Sequence, residues 1–260
     1  MRRSHSIAGL SIAIVLVTGV ILAWIVGLRL PGATEVWEPV PPIVEPGPAK
    51  PVQPPPDAIA LFDGDDLDEW ASMDGSPAPW TVNGGTLIVK KGTGNIRTRR
   101  KFRDYRLHLE WRIPKDITGD GQARGNSGLF LGATGKQDAG YELQILDSYQ
   151  NKTYGNGQAG AVYKQYSPLA NPMRPPGEWQ SYDVIWKAPR FGRGGALASP
   201  AVVTAYMNGV LIQNGVKLRG ETVWVGKPRY RAHGRLPIML QDHRDPSPPI
   251  SFRNIWVQEM

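Results

Sequence analysis

Apolar and polar residues alternate along most of the chain from residue 58 onward. The clearest run is Arg106 to Ile113. Leu107, Leu109, Trp111 and Ile113 fall on one side, and Arg106, His108, Glu110 and Arg112 on the other, the period of two expected of a strand with one face buried and the other solvated. Shorter runs at Thr86–Val89, Ser127–Leu131, Tyr141–Leu146, Ser181–Trp186, Ala201–Met207, Val210–Gln213, Leu236–Gln241 and Phe252–Val257 predict further strands. Asn83-Gly84 and Asn208-Gly209 each separate two apolar runs, where a two-residue hairpin turn needs positive φ. No window in this region has the helical period, and no internal repeat is visible. Many antiparallel strands within about 200 residues predict two packed sheets, an all-β sandwich, with the last strand well inside because Ile255 and Trp256 need burial.

The first 57 residues have a different pattern. Ile7 to Leu28 is a run of 22 residues without a charge, preceded by Arg2 and Arg3; as a helix rising about 1.5 Å per residue it is long enough to cross the hydrocarbon core. The flanking arginines favour a cytoplasmic tip and an outward-facing remainder, periplasmic or extracellular. The sequence therefore predicts a tip and single-pass transmembrane signal anchor over 1–30. A cleaved signal peptide, leaving a secreted protein, is the competing reading. It is disfavoured because Arg29, Leu30 and Pro31 occupy the place of a small-residue cleavage site. Residues 31–57 contain ten prolines and read as a semi-rigid polyproline-like linker reaching up to about 80 Å at ~3.1 Å per residue, with a ligand for proline-recognition modules as the alternative.

Composition sharpens this picture. Gly and Pro total 54 of 260 residues, which disfavours a helical bundle. The absence of cysteine excludes a disulfide scaffold, a Cys-ligated zinc site and a cysteine nucleophile. Lys and Arg number 30 against 23 acidic residues, and the +7 belongs entirely to residues 58–260, because the four basic and four acidic residues before it cancel. The one dense basic cluster, Arg97, Arg99, Arg100, Lys101 and Arg103, accompanies no nucleic-acid-binding motif, so it reads as a solvated edge or turn and no nucleic-acid partner is expected. Asp116–Gly121 lacks the spacing of a calcium loop, and Ser127 lies outside a nucleophile elbow.

Candidate chemistry lies in two segments. In Gly140–Asp147, Glu142 and Gln144 share one strand face while Leu143 and Ile145 share the other. In Pro237–His243 an apolar strand ends in an amide, a carboxylate and an imidazole, with Gln241 and His243 able to point the same way. Trp70, Trp80, Trp179, Trp186 and Trp224 are either sugar-stacking rings or core. Five stretches in order carry a family resemblance. Leu61–Trp70 (LFDGDDLDEW) resembles the LFNGKDLSGW opening of the 3-keto-disaccharide hydrolase domain family; Asn126–Phe130 is similar to its NSGIF strand, Gly140–Asp147 to GYEVQILD, and Leu240–His243 with Phe252–Trp256 to LQDH and FRNIW.

The resemblance covers 58–260 and implies a concanavalin A-like jelly roll whose cleft takes a sugar. It implies that Glu142, Gln144, Gln241 and His243 line that cleft, with Asn126 and Asp147 as further substrate contacts; Arg244, from its own position beside the cleft, is a further expected contact, able to narrow substrate choice or supply a hydrogen-bond fork. Two departures stand out: the insertion-like Phe191–Gly195 stretch, and Arg244 where the family commonly has glycine. In the substrate class implied, a ketone at C3 acidifies the C2 proton; a base removes it, the enolate expels the C1 oxygen, and water addition completes a net hydrolysis. This needs a base, an acid, and donors or a divalent metal ion at the enolate. Glu142 and His243 are the expected catalytic pair, in unassigned order, with no metal-ligand set identifiable. The alternative is a noncatalytic carbohydrate-binding surface domain.

Overall fold

The computed structural model describes residues 30–49, 52–135 and 137–260. The charge-free run Ile7–Leu28 lies outside them, and among the described residues no helix is long and apolar enough to cross a membrane. The strands are β1 (Ile59–Phe62), β2 (Trp70–Ser72), β3 (Thr81–Asn83), β4 (Thr86–Ile88), β5 (Ile96–Thr98), β6 (Tyr105–Arg112), β7 (Ser127–Ala133), β8 (Gly140–Ile145), β9 (Trp179–Lys187), β10 (Arg190–Phe191), β11 (Leu197–Ser199), β12 (Val202–Met207), β13 (Val210–Lys217), β14 (Met239–Leu240) and β15 (Ser251–Glu259). They form the predicted sandwich of antiparallel sheets. The larger runs β13-β12-β9-β6-β15-β4-β3, with β1 also on β15, and the smaller runs β2-β5-β14-β7-β8. Between them lies one core that includes Trp70, Leu107, Leu109, Trp111, Leu129, Leu143, Ile145, Tyr182, Leu240 and Phe252.

The C-terminal strand is integrated as expected, pairing with β1, β4 and β6. Asn208 and Gly209 have φ of 51° and 76° between paired Met207 and Val210, the hairpin geometry predicted. At the other predicted hairpin the positive-φ pair is Gly84-Gly85, one residue on, with Asn83 opposite Thr86. The strand expected over Leu236–Gln241 shrinks to Met239–Leu240. Pro237 has no N–H to give a ladder, and Ile238 donates instead to the Thr98 hydroxyl at 3.0 Å. The insertion-like stretch contributes to a two-stranded ribbon, β10 with β11.

The face of β6 expected to be solvated is open at Arg106 and half-covered at Arg112, but its middle, His108 and Glu110, is buried. His108 is 0% exposed, stacked under Trp256 with ring centroids 5.3 Å apart and bonded through Nδ1 to Asp183 at 2.7 Å. Glu110 accepts from Arg253 at 2.6 Å and Asn254 at 2.9 Å. Burial works against both charges, but the partners prevail and the Glu110 carboxyl is held down to about 2. Period-two alternation assigns such residues to water; here they satisfy one another beneath cover.

Part of that cover is the proline-rich segment, which is not a free spacer. Asn156, 1% exposed, accepts the Val36 N–H at 2.9 Å and donates to the Thr34 carbonyl at 2.7 Å. Asn171 bridges Pro42 and Val44 through its backbone. Gly47 donates to the Asn208 carbonyl at 2.8 Å, Arg174 donates to the Gly47 carbonyl, and Asn254 donates to the Val52 carbonyl at 3.0 Å. Extended proline-rich backbone leaves its carbonyls and N–H groups without internal partners, and the strap uses both: the carbonyls of Thr34, Pro42, Gly47 and Val52 and the N–H groups of Val36, Val44 and Gly47. Asn156→Ala should lower stability by roughly 1–2 kcal/mol, the loss of two part-buried hydrogen bonds. It should also open bonds between residues 31 and 47 to a protease that leaves the folded parent uncut there. Rapid cutting of the parent within 31–47 would contradict docking.

Candidate active site

The smaller sheet is buried on both faces. In the register of β7 with β8, Leu129 lies opposite Leu143 and faces the core, while Phe130 lies opposite Glu142 and Gly128 opposite Gln144 on the outer face. Met239 of β14 joins that outer row opposite Phe130, and Phe130, Met239 and Ala133 form a small apolar cluster beneath it. Glu142 and Gln144 therefore project together, as the sequence predicts, but onto a covered floor. Gly128 makes room for the carboxylate: a Cβ there would lie 2.7 Å from Glu142 Oε1 and 2.9 Å from the Phe130 ring.

Glu142 is 6% exposed. Burial, reinforced by the negative charge of Asp138, pushes its carboxyl well above the ordinary value of 4.5; among the described residues no cation pairs with it. Burial thus favours its protonated form over the carboxylate. Around it Gln144 donates through Nε2 to Asn126 Oδ1 at 3.1 Å, and Asn126 donates to the Gln122 carbonyl at 2.8 Å. The Oε1 atoms of both Gln144 and Gln241 are buried and have no hydrogen-bond partner among the described residues.

Two cavities meet at His243. The first, about 520 Å³, is lined by Asn126, Glu142, Gln144, Gln241 and His243, with Tyr154, Tyr163 and Trp224 on its walls. The second, about 660 Å³, is lined by His243, Arg244, Asn95, Asp138 and Asp245 among others. His243 Nδ1 lies 3.0 Å from Asp245 Oδ2, a contact that orients the ring and favours the tautomer with its proton on Nδ1 and Nε2 directed away from Asp245. Burial opposes the Asp245 charge, yet bonds from His243, Ser247 and Lys91 hold its carboxyl at about 2. Lys91 also donates to the His243 carbonyl at 2.8 Å, fixing the loop. Burial pushes the Tyr154 phenol up to about 12 and Tyr163 higher still, so both are neutral O–H groups, 2.9 Å apart.

Comparison with known proteins decides the family. Residues 57–258 match the model of the 3-keto-alpha-glucoside-1,2-lyase-like domain. The chain belongs to this family. A Parabacteroides distasonis protein of known structure, provisionally named a glycosyl hydrolase, is 49% identical over 87% of this chain and 94% of its own, with a TM-score of 0.77. Two other P. distasonis structures with the same provisional name share the fold at 21% and 19% identity, covering 78% and 74% of this chain and 94% and 100% of their own, with TM-scores of 0.55 and 0.52. No curated protein matches the chain.

Within this 3-keto-glucoside lyase-like domain, six of the seven residues expected from sequence reach the cavities. Asn126, Glu142, Gln144 and Gln241 share the smaller one, His243 lines both, and Arg244 sits exposed on the larger. Asp147 does not: it is buried against Arg124, 2.7 Å from Nε, and lines neither. Its strand has ended at Ile145, so alternation no longer sets its direction. Sequence reasoning missed Asp245, whose signal is the His-x-Asp spacing, and the tyrosine pair. Of the candidate tryptophans, Trp70, Trp80 and Trp186 are core, and Trp179 lies under Arg112 and Arg253. Trp224, 64% exposed and on the cavity wall, is the one placed to stack on a sugar. Among the described residues no three His, Asp or Glu side chains converge on a metal position.

The buried acid has a thermodynamic signature. Because the folded Glu142 holds its proton above the unfolded value, stability falls as pH rises past about 4.3 towards the raised folded value. Glu142→Gln should therefore melt above the parent at neutral to alkaline pH, with the gap closing below that unfolded value. Equal midpoints across the whole range would show that the carboxylate is not destabilised by burial.

Proposed function

We propose that the domain cleaves 3-keto-glycosides by elimination and hydration, with His243 as base and Glu142 as acid. The observation that carries this reading is the pairing, in the lining of one cavity, of an imidazole whose Nδ1 is tied to Asp245 with a buried carboxyl whose pKa burial raises. His243 Nε2 takes the C2 proton, and the electron pair passes into the enolate at C3. The enolate then reforms the ketone as the C1–oxygen bond breaks, and the departing oxygen takes the proton of Glu142. Water adds at C1 of the resulting enone and a proton returns to C2, which restores both residues and makes the sum a hydrolysis. The neutral Tyr154 and Tyr163 hydroxyls offer donors for the enolate, and the free Gln144 and Gln241 oxygens offer acceptors for ring hydroxyls.

Two cavities meeting at His243 suit a disaccharide, one sugar in each. The charge-free Ile7–Leu28 run behind Arg2 and Arg3 supports an outward-facing, membrane-tethered location for this activity.

Deuterium exchange separates the two roles. In heavy water, Glu142→Gln should still exchange the C2 hydrogen of a 3-keto-disaccharide while its cleavage falls roughly 10²- to 10⁴-fold; His243→Asn should lose exchange and cleavage by similar factors. Exchange lost in Glu142→Gln but kept in His243→Asn would reverse the assignment. A parent protein that binds the sugar without exchange or cleavage would replace the enzyme with a carbohydrate-binding domain.

A further inference from the structure

The strap over residues 30–47 lies outside the family domain, which begins at residue 57, yet Pro31 and Glu35 line the same cavity as Glu142 and Gln144. Glu35 is held from two sides. Its Oε1 is 3.1 Å from Lys164 Nζ, and its Oε2 accepts from Trp37 Nε1 at 3.2 Å. Trp37 packs edge-on against Tyr154, with ring centroids 5.9 Å apart.

Lys164 is specialised for this task. Its side chain is 2% exposed, its amine donates to the Pro31 carbonyl at 3.0 Å, and it lies 4.2 Å from the centre of the Tyr154 ring. Its φ is +60°, a conformation few side chains adopt and one that persists only where the surroundings impose it. A plain fastener would have its carboxylate in a dry contact. Glu35 instead keeps 21% of its side chain exposed on the cavity wall, with lone pairs left over.

The other acceptors in this cavity include the amides of Asn126, Gln144 and Gln241, the buried Glu142 carboxyl and the exposed Asp138 carboxylate; Glu35 is the carboxylate held in place by a buried ammonium. A fixed carboxylate is the stronger acceptor for a sugar hydroxyl, and one already oriented costs less to engage. We propose that the strap is part of the sugar site and that Glu35 is a specificity-determining residue, accepting hydrogen bonds from hydroxyls of the sugar lodged beside Glu142. Lys164 is the positioning residue that holds it. This rests on the carbohydrate reading of the cavity given above.

The test compares the full-length parent with Glu35→Gln, Glu35→Ala and Lys164→Met. Calorimetry with an unoxidised disaccharide gives Kd, turnover of the 3-keto-disaccharide gives KM and kcat, and thermal melting reports the strap's structural share. Glu35→Ala should raise Kd and KM about 10- to 100-fold, the loss of a hydrogen bond to a charged acceptor, with kcat within about threefold of the parent. Glu35→Gln, which keeps shape and an acceptor, should lose less, and Lys164→Met should raise KM several-fold. Unchanged Kd and KM beside a lowered melting midpoint would overturn the proposal and leave the strap a fastener. A parent that binds but does not cleave would overturn the elimination mechanism alone, because the Kd comparison still decides the strap. A parent that neither binds nor cleaves would overturn both.

Discussion

A carboxyl group on a sheet covered on both sides is the constraint from which the rest of the site follows. The inner face of β7 and β8 has to pack on the core, so Leu129, Leu143 and Ile145 take one side and Glu142 and Gln144 are forced to the other. In an ordinary two-layer sandwich that other side is wet, and Glu142 would be an unremarkable surface anion. Here Phe130 lies beside it across the strand pair and Met239 next along the same row, and the Thr222 hydroxyl accepts its N–H at 3.1 Å. Trp224, two residues on, and the strap form walls of the same cavity. Among the described residues no cation pairs with Glu142, so loss of hydration disfavours the charged form and raises its pKa. A carboxyl whose proton is held more tightly than usual is suited to act as a proton donor, and the fold arrives at it by enclosure.

The base is set up by the opposite device. His243 follows the short strand β14 on a loop, where alternation cannot aim it; Asp245 aims it instead, itself held by Lys91 and Ser247. One group is set by enclosure and the other by a hydrogen-bonded partner, the arrangement on which the proposed division of acid and base work rests. The strap ties this site to the far side of the molecule. The segment that contributes Glu35 to the cavity continues past Asn171 and Asn208 to Val52, which meets Asn254 beside Glu110 on the outer face of the larger sheet.

The sheet framework was legible because period-two alternation and turn chemistry report local backbone geometry. β6, β15 and the Asn208-Gly209 turn show this, as does the shared face of Glu142 and Gln144. What escaped depends on partners distant in sequence. The polar side of β6 looks solvated until Asp183 and Asn254 are brought to His108 and Glu110. The proline-rich segment has no apolar stripe, so its composition reads as spacer; its docking rests on its own backbone groups meeting Asn156, Asn171 and Arg174, which no local pattern reveals. Asp147 was expected at the cleft because its motif is, but it lies past the end of β8 and turns to Arg124.

The protonation state of Glu142 is the central claim, and isotope-edited infrared spectroscopy of the folded protein reads it most directly. The account predicts a protonated-carboxyl band at neutral pH that disappears in Glu142→Gln and persists in the parent well above the ordinary glutamate range. A parent spectrum without that band at neutral pH, with the Glu142 carboxylate titrating near its unfolded value of about 4.3, would contradict it.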